Sequence, residues 1–104
     1  DERITSSYDF EQMEAGEILV IGGEISSIKE ITTRNGEPMA FVEVVYGENI
    51  WNVTVFSNKY WKYKEFLHEN SLVIARGKKD DYNEENIILD ELASLQALAK
   101  QVNV

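Results

Sequence analysis

The sequence predicts an all-β fold: five strands closed into a small barrel, with one helix between the third and fourth strands and a second at the C-terminus. Three observations carry this. Five short stretches rich in branched and aromatic residues alternate apolar with polar positions. One stretch between the third and fourth of them repeats its aromatics at helical spacing instead. The chain has 104 residues, 43% of them hydrophobic, which suits one core and leaves little room for two domains.

Residues 1–16 are polar and acidic, with Tyr8, Phe10 and Met13 among their few large apolar groups, and read as a lead-in segment packing lightly on the barrel. The first strand runs from Ile18 to Ile31. Its Gly22-Gly23 pair marks a strong bend or bulge, as a small barrel requires. Thr32 to Pro38 is a turn with Asn35-Gly36 at its centre. The second strand runs from Met39 to Tyr46. Glu43 marks its wet face, so Met39, Phe41 and Val45 also point outward, and Ala40, Val42 and Val44 inward. A turn at Gly47-Glu48-Asn49 leads to the third strand, Ile50 to Phe56. There Asn52 and Thr54 mark the wet face, and Trp51, Val53 and Val55 the core.

Ser57 is placed to cap a helix reaching about His68, with Tyr60, Tyr63, Phe66 and Leu67 on one side and lysines on the other. Leu72 to Lys79 is the fourth strand, with Arg76 and Lys78 on one face and Val73, Ala75 and Gly77 on the other. A polar loop around Tyr82 precedes the fifth strand, Asn86 to Leu92. Ala93 to Val102 is helical in character, with Leu95, Leu98 and Val102 along one side. Three strands, a helix and two strands is the connectivity of the five-stranded Greek-key OB-fold, whose helix plugs one end of the barrel. The division expected is a lead-in over 1–16, the barrel over 17–95 and a helical tail over 96–104.

Charge and composition exclude several functions. Ten Lys and Arg against nineteen Asp and Glu leave a net charge of −9, which argues against a strong, autonomous, non-specific nucleic-acid binder. The charge is uneven: between residues 57 and 79 stand Lys59, Lys62, Lys64, Arg76, Lys78 and Lys79, against only Glu65 and Glu69. With no cysteine there are no disulfides, thiolate metal sites or cysteine nucleophile. The single histidine, His68, has no partners with which to hold a metal or activate a serine. Asp80-Asp81 and Glu84-Glu85 lack EF-hand spacing, and phosphate-cradling glycine loops are absent. No cofactor and no catalysis are expected of this chain. No apolar run approaches the roughly 20 residues of a membrane helix, so no membrane partner and a cytoplasmic setting are expected. Asp1-Glu2-Arg3 fits no signal-peptide plan and reads as a boundary inside a longer protein.

A binding surface remains. OB-folds hold ligands on the outer face of strands two and three, with help from the loops between strands one and two and between four and five. Single-strand binding calls for flat rings to stack on bases and cations along the backbone track. Met39 and Phe41 supply stacking surface, Asn52 and Thr54 hydrogen-bonding groups, and Arg34 a loop cation. Arg76, Lys78 and Tyr82 complete the track.

These residues also carry a resemblance. Lys29 with Arg34-Asn35-Gly36-Glu37-Pro38-Met39-Ala40-Phe41-Val42 resembles the entry into strand two of the OB domain of bacterial and phage DNA polymerase III alpha subunits. Val53-Thr54-Val55-Phe56-Ser57 followed by Tyr60, Tyr63 and Leu67, the stretch Leu72 to Lys78, and Asn86 to Leu92 with Leu95 are similar to later parts of that domain. The match covers roughly residues 17–95. It departs at Ser57, where the family has proline, at Val45-Tyr46-Gly47, and at Trp51 and Trp61, which marks a divergent member. The resemblance implies a non-catalytic module that binds single-stranded DNA weakly near the polymerase active site, tethered to the other domains of its parent, since tethering supplies the local concentration an acidic module lacks. The alternatives are a protein-interaction or structural OB domain and a tRNA-anticodon-binding one, which share the same plan.

Overall fold

The computed structural model describes residues 4–102, with side chains through Leu98. Residues 1–3 of the lead-in, residues 103–104 of the tail and the apolar side expected at Val102 lie outside that description. The elements are α1 (Ser7–Gln12), β1 (Ile18–Thr32), β2 (Pro38–Tyr46), β3 (Asn49–Val55), α2 (Ser57–Tyr63), continued by a 3-10 turn over Lys64–Phe66, then β4 (Leu72–Lys79), β5 (Asn86–Ser94) and α3 (Leu95–Val102). The strands close into a barrel in the order β1-β2-β3-β5-β4. All neighbours are antiparallel except β3 and β5, which close the barrel through a short parallel ladder pairing Asn52 with Asn86, Val53 with Ile87 and Thr54 with Ile88. The expected OB-fold is the fold observed.

Strand β1 makes closure possible because it serves two partners. Ile18 to Glu24 pair with β4, and Glu24 to Thr32 pair with β2. The handover falls at Gly23, whose φ of 155° and close approach to Val45 leave no room for a Cβ: one built there would sit 2.4 Å from the Val45 carbonyl oxygen. A register shift between Ile25 and Ser27 completes the bend. Of the glycine pair, Gly23 is the one the bend requires; Gly22 has room for a Cβ. A second bulge lies on β5, where Asp90 is the extra residue opposite the Arg76-Gly77 step of β4, and the Ile88 carbonyl comes so near Gly77 that a Cβ would meet its oxygen at 2.4 Å.

The core follows the alternation. Leu19, Ile21 and Ile25 from β1, Ala40, Val42 and Val44 from β2, Trp51, Val53 and Val55 from β3, Val73 and Ala75 from β4, and Ile87 and Leu89 from β5 are buried together. Tyr60 and Tyr63 of α2 close one end, and the Tyr60 hydroxyl donates to Glu30. The helix is shorter than expected. Ser57 is its first residue instead of its cap, Phe56 holds the cap position without a side-chain bond, and the Asn58 carboxamide accepts the Lys59 N–H at 2.9 Å. Beyond Tyr63 the chain tightens to three residues per turn, which keeps Phe66 in line with Tyr63 over the core. Strand β5 runs two residues past its expected end because Ala93 and Ser94 still pair with Ile74 and Val73. The helix begins only after the Ser94 hydroxyl accepts the Ala97 N–H.

The lead-in segment packs more tightly than its composition suggested. Thr5 donates its N–H to the Val20 carbonyl at 2.7 Å, and its hydroxyl accepts the Val20 N–H. These bonds cover the edge that β1 leaves open where β2 has not yet joined it. Helix α1 lays Phe10 edge-on against Trp51, ring centroids 5.5 Å apart, within the core. Buried Lys79 donates from Nζ to the Phe10 and Met13 carbonyls at 2.8 and 2.9 Å, placing its charge at the C-terminal end of α1, where the helix dipole favours a cation.

Candidate nucleic-acid interface

Alternation on β2 and β3 turns Phe41, Asn52, Thr54 and Phe56 away from the core. Together with Met39 and the β4–β5 loop they enclose a groove of about 490 Å³, lined by Met39, Phe41, Asn52, Thr54, Phe56, Asp80, Asn83 and Asn86. Phe41 is 43% exposed and Phe56 46%, so two rings stand open at the groove. Four of the expected binding residues, Met39, Phe41, Asn52 and Thr54, thus meet in one place. Two of them are less wet than alternation alone implied. Met39 is only 9% exposed and Thr54 only 5%. Thr54 is taken up by the strand closure, where its hydroxyl donates to Asn86 Oδ1 at 3.1 Å and accepts from Asn86 Nδ2 at 2.9 Å.

The polar side of the groove is prearranged. Asn86 Nδ2 also donates to Asp80 Oδ2 at 3.0 Å, and Asp80 Oδ1 accepts the Tyr82 N–H. The Tyr82 backbone N–H and then the Asn86 amide hold the Asp80 carboxyl below the usual aspartate range. Asn83 Oδ1 accepts the Glu85 N–H and fixes the same loop. The groove therefore offers rings and fixed amide and carboxylate groups, which suit base faces and base edges better than phosphates.

The other expected residues lie elsewhere. Arg34 is exposed in the β1–β2 turn, and Tyr82 is almost fully exposed; neither lines this groove. Arg76 is not a free cation: its guanidinium lies 3.0 Å from Asp90 and 2.8 Å from Glu91. The hydrogen bond from Arg76 holds Asp90 below the usual aspartate range. Lys78 is exposed on β4, where it lines a different groove. The groove residues missed were Phe56, Asp80, Asn83 and Asn86. For Phe56 the signal was present, since alternation through Asn52 and Thr54 reaches it next. For the loop residues there was none, because their placement depends on side-chain bonds to a distant strand. Among the described residues, no three His, Cys, Asp or Glu converge as a metal site, and no helix is long and apolar enough to cross a membrane.

A closed five-stranded barrel with a ring-bearing open groove on β2 and β3 defines a binding domain of the OB class. The chain belongs to the OB-fold nucleic acid binding domain family, whose model matches residues 19–104. It is similar to DNA polymerase III subunit alpha of Staphylococcus aureus strain N315, 33% identical over 79 residues that make up 75% of this chain and 7% of the relative. The same subunit of Staphylococcus epidermidis is 29% identical over 75 residues, again 7% of its length. The chain thus spans a small fraction of the curated relatives it matches. Among solved structures, the mitochondrial single-stranded DNA binding protein Rim1 of S. cerevisiae shares the barrel with a TM-score of 0.63 at 19% identity, covering 80% of this chain and 96% of that one. Asparaginyl-tRNA synthetase from Pyrococcus horikoshii does so at 0.66 and 12% identity, over 88% of this chain and 23% of the enzyme. These two likenesses concern the fold.

Proposed function

We propose that this domain is a non-catalytic module of a replicative DNA polymerase alpha subunit that holds single-stranded DNA weakly beside the polymerase active site. The observation that carries the reading is the groove on β2 and β3, in which exposed Phe41 stands over fixed amide groups. The similarity to polymerase III alpha subunits supports the parent. Bases stack on Phe41 and reach Asn52, Asn83 and Asp80 with their edges, while the sugar-phosphate chain stays at the rim, away from Asp80. This arrangement reconciles a net charge of −9 with a nucleic-acid ligand, because phosphate neutralisation supplies little of the affinity. The binding is weak in isolation and becomes useful when the parent chain holds the strand nearby.

The test is a titration of fluorescently labelled oligo-dT at low and moderate salt, with Phe41→Ala beside the wild type. Loss of one stacked base costs about 1–3 kcal/mol, so the variant should bind at least about fivefold more weakly while melting normally. Equal binding by the variant, or no binding by the wild type at low salt up to tens of micromolar, would overturn the reading.

A further inference from the structure

Two further grooves adjoin the one on β2 and β3, and they differ in charge. Beyond Asn52, about 610 Å³ opens between α1 and the β2–β3 and β4–β5 loops, bordered by Glu11, Glu84 and Glu85. Its one cation, Lys79, is buried and occupied by the Phe10 and Met13 carbonyls. Beyond Phe56, about 410 Å³ opens across β5, β4 and the start of β1, with Lys59, Lys78, Asp90, Ile18, Ile88 and Phe56 itself on its walls. Phe56 borders both the β2–β3 groove and this one.

Strand register makes the two neighbours continuous. Phe41 pairs with Thr54, Thr54 with Ile88, Ile88 with Lys78, and Lys78 with Ile18. Paired residues share a face, so one outer row crosses from β2 to β1. Asp90, the carboxylate facing the second groove, is engaged by Arg76 at 3.0 Å and Lys59 at 3.6 Å. Lys78 takes part in no ion pair among the described residues and is exposed on the same row.

We infer that the single strand leaves the β2–β3 groove over Phe56 and continues along β5 and β4, with Phe56 as a second stacking ring and Lys78 meeting a phosphate. This rests on the reading of the first groove as a single-strand site. The direction comes from electrostatics: a polyanion turned toward Asn52 meets Glu11, Glu84 and Glu85, whereas one turned toward Phe56 meets Lys78 and a carboxylate already neutralised. Exposed Ile18 and half-buried Ile88 supply apolar surface for the sugars and base faces.

The experiment titrates the whole chain with oligo-dT of two lengths, one filling a single groove and one spanning both, roughly 4 and 8 nucleotides given the usual range for such barrels. Lys78→Ala is the main variant, because its exposed side chain supports no packing; Phe56→Ala, Phe41→Ala and a thermal melt of each accompany it. The expected result is that Lys78→Ala flattens the salt dependence of long-oligomer binding by about 0.7 in log-log slope, one single-strand phosphate contact, and leaves short-oligomer binding unchanged. Phe56→Ala should weaken the long oligomer several-fold more than the short, and Phe41→Ala should weaken both. If Phe41→Ala weakens both lengths but Lys78→Ala leaves the slope of the long one unchanged, the extended path is wrong and the first groove stands. If the wild type binds neither length, both readings fail together.

Discussion

Thr54 and Asn86 exchange two hydrogen bonds across the parallel ladder of β3 and β5, at 3.1 and 2.9 Å, and so join barrel closure to the floor of the groove. The ladder itself spans only three residue pairs, which makes side-chain support valuable there. In Asn86→Ala the Thr54 hydroxyl stays buried without this partner and Asp80 loses a donor. An orphaned buried group costs about 1–3 kcal/mol, so urea unfolding should move to lower denaturant by that amount. Thr54→Val removes the hydroxyl but leaves Asn86 bonded to Asp80. The double variant should therefore be less destabilised than the sum of the two singles, with a coupling of about 1 kcal/mol. Strict additivity would mean that the pair contributes nothing.

The β4–β5 loop carries a pH dependence whose sign is set by Asp80. Its carboxyl is held below its ordinary value by the Tyr82 N–H and the Asn86 amide. A depressed carboxylate stabilises the fold above its unfolded pKa, and this contribution is lost as pH falls through the folded one. The stability advantage of wild type over Asp80→Asn should stay constant near neutrality. It should begin to shrink around the ordinary aspartate range, about pH 4, and vanish below it. The check is urea unfolding of both proteins across that range; a difference that does not change with pH would rule out this role for the carboxylate.

Gly23 and Gly22 are adjacent yet make opposite predictions. A Cβ at Gly23 would lie 2.4 Å from the Val45 carbonyl oxygen and 2.9 Å from its carbon, on backbone with a φ of 155°. One at Gly22 would find its nearest neighbours at 3.4 Å, the flexible end of Ile4, and at 3.6 Å. Gly23→Ala should therefore cost at least about 2 kcal/mol, since strain and backbone displacement combine. Gly22→Ala should melt close to wild type. Thermal melts of the two variants side by side decide the matter.

Most of the barrel was legible because period-2 alternation is strict wherever one face is buried. Ala40, Val42 and Val44, and likewise Trp51, Val53 and Val55, point inward as their order implies. What alternation cannot convey is how deeply an outward residue is covered. Met39 and Thr54 face outward and are still largely buried, Thr54 because its partner Asn86 lies 32 residues away on another strand. Arg76 looked like a free cation for the same reason: its carboxylates, Asp90 and Glu91, arrive from β5 only after the chain folds. Boundaries shifted where a local signal met a tertiary one. Ser94 overrode the helical character of Ala93 by ending a strand that β4 prolongs.

Lys79 is the residue whose meaning changed most, from one member of a basic stretch to the anchor of α1. Six residues are too few for a helix to hold itself together in water, so α1 depends on its contacts with the barrel. Those contacts are Phe10 against Trp51, and the Lys79 ammonium, which bonds the Phe10 carbonyl of α1 and the Met13 carbonyl at its C-cap and lies 4.7 Å from the Phe10 ring centroid. Lys79→Met keeps the length and apolar stem of the side chain and removes only the charged head. Hydrogen bonds to a charged group contribute about 1.5–3 kcal/mol each, so the docked state of α1 should lose roughly one such bond's worth after the freed carbonyls find water. The barrel should survive, because its strand ladders do not pass through this contact. With Trp61→Phe as background, Trp51 is the only indole left, and its emission should shift to longer wavelength in Lys79→Met as Phe10 withdraws. Faster amide exchange should be confined to α1 and the β1 edge that Thr5 covers. A variant with unshifted Trp51 emission and unchanged exchange in α1 would show that Phe10 alone holds the helix in place.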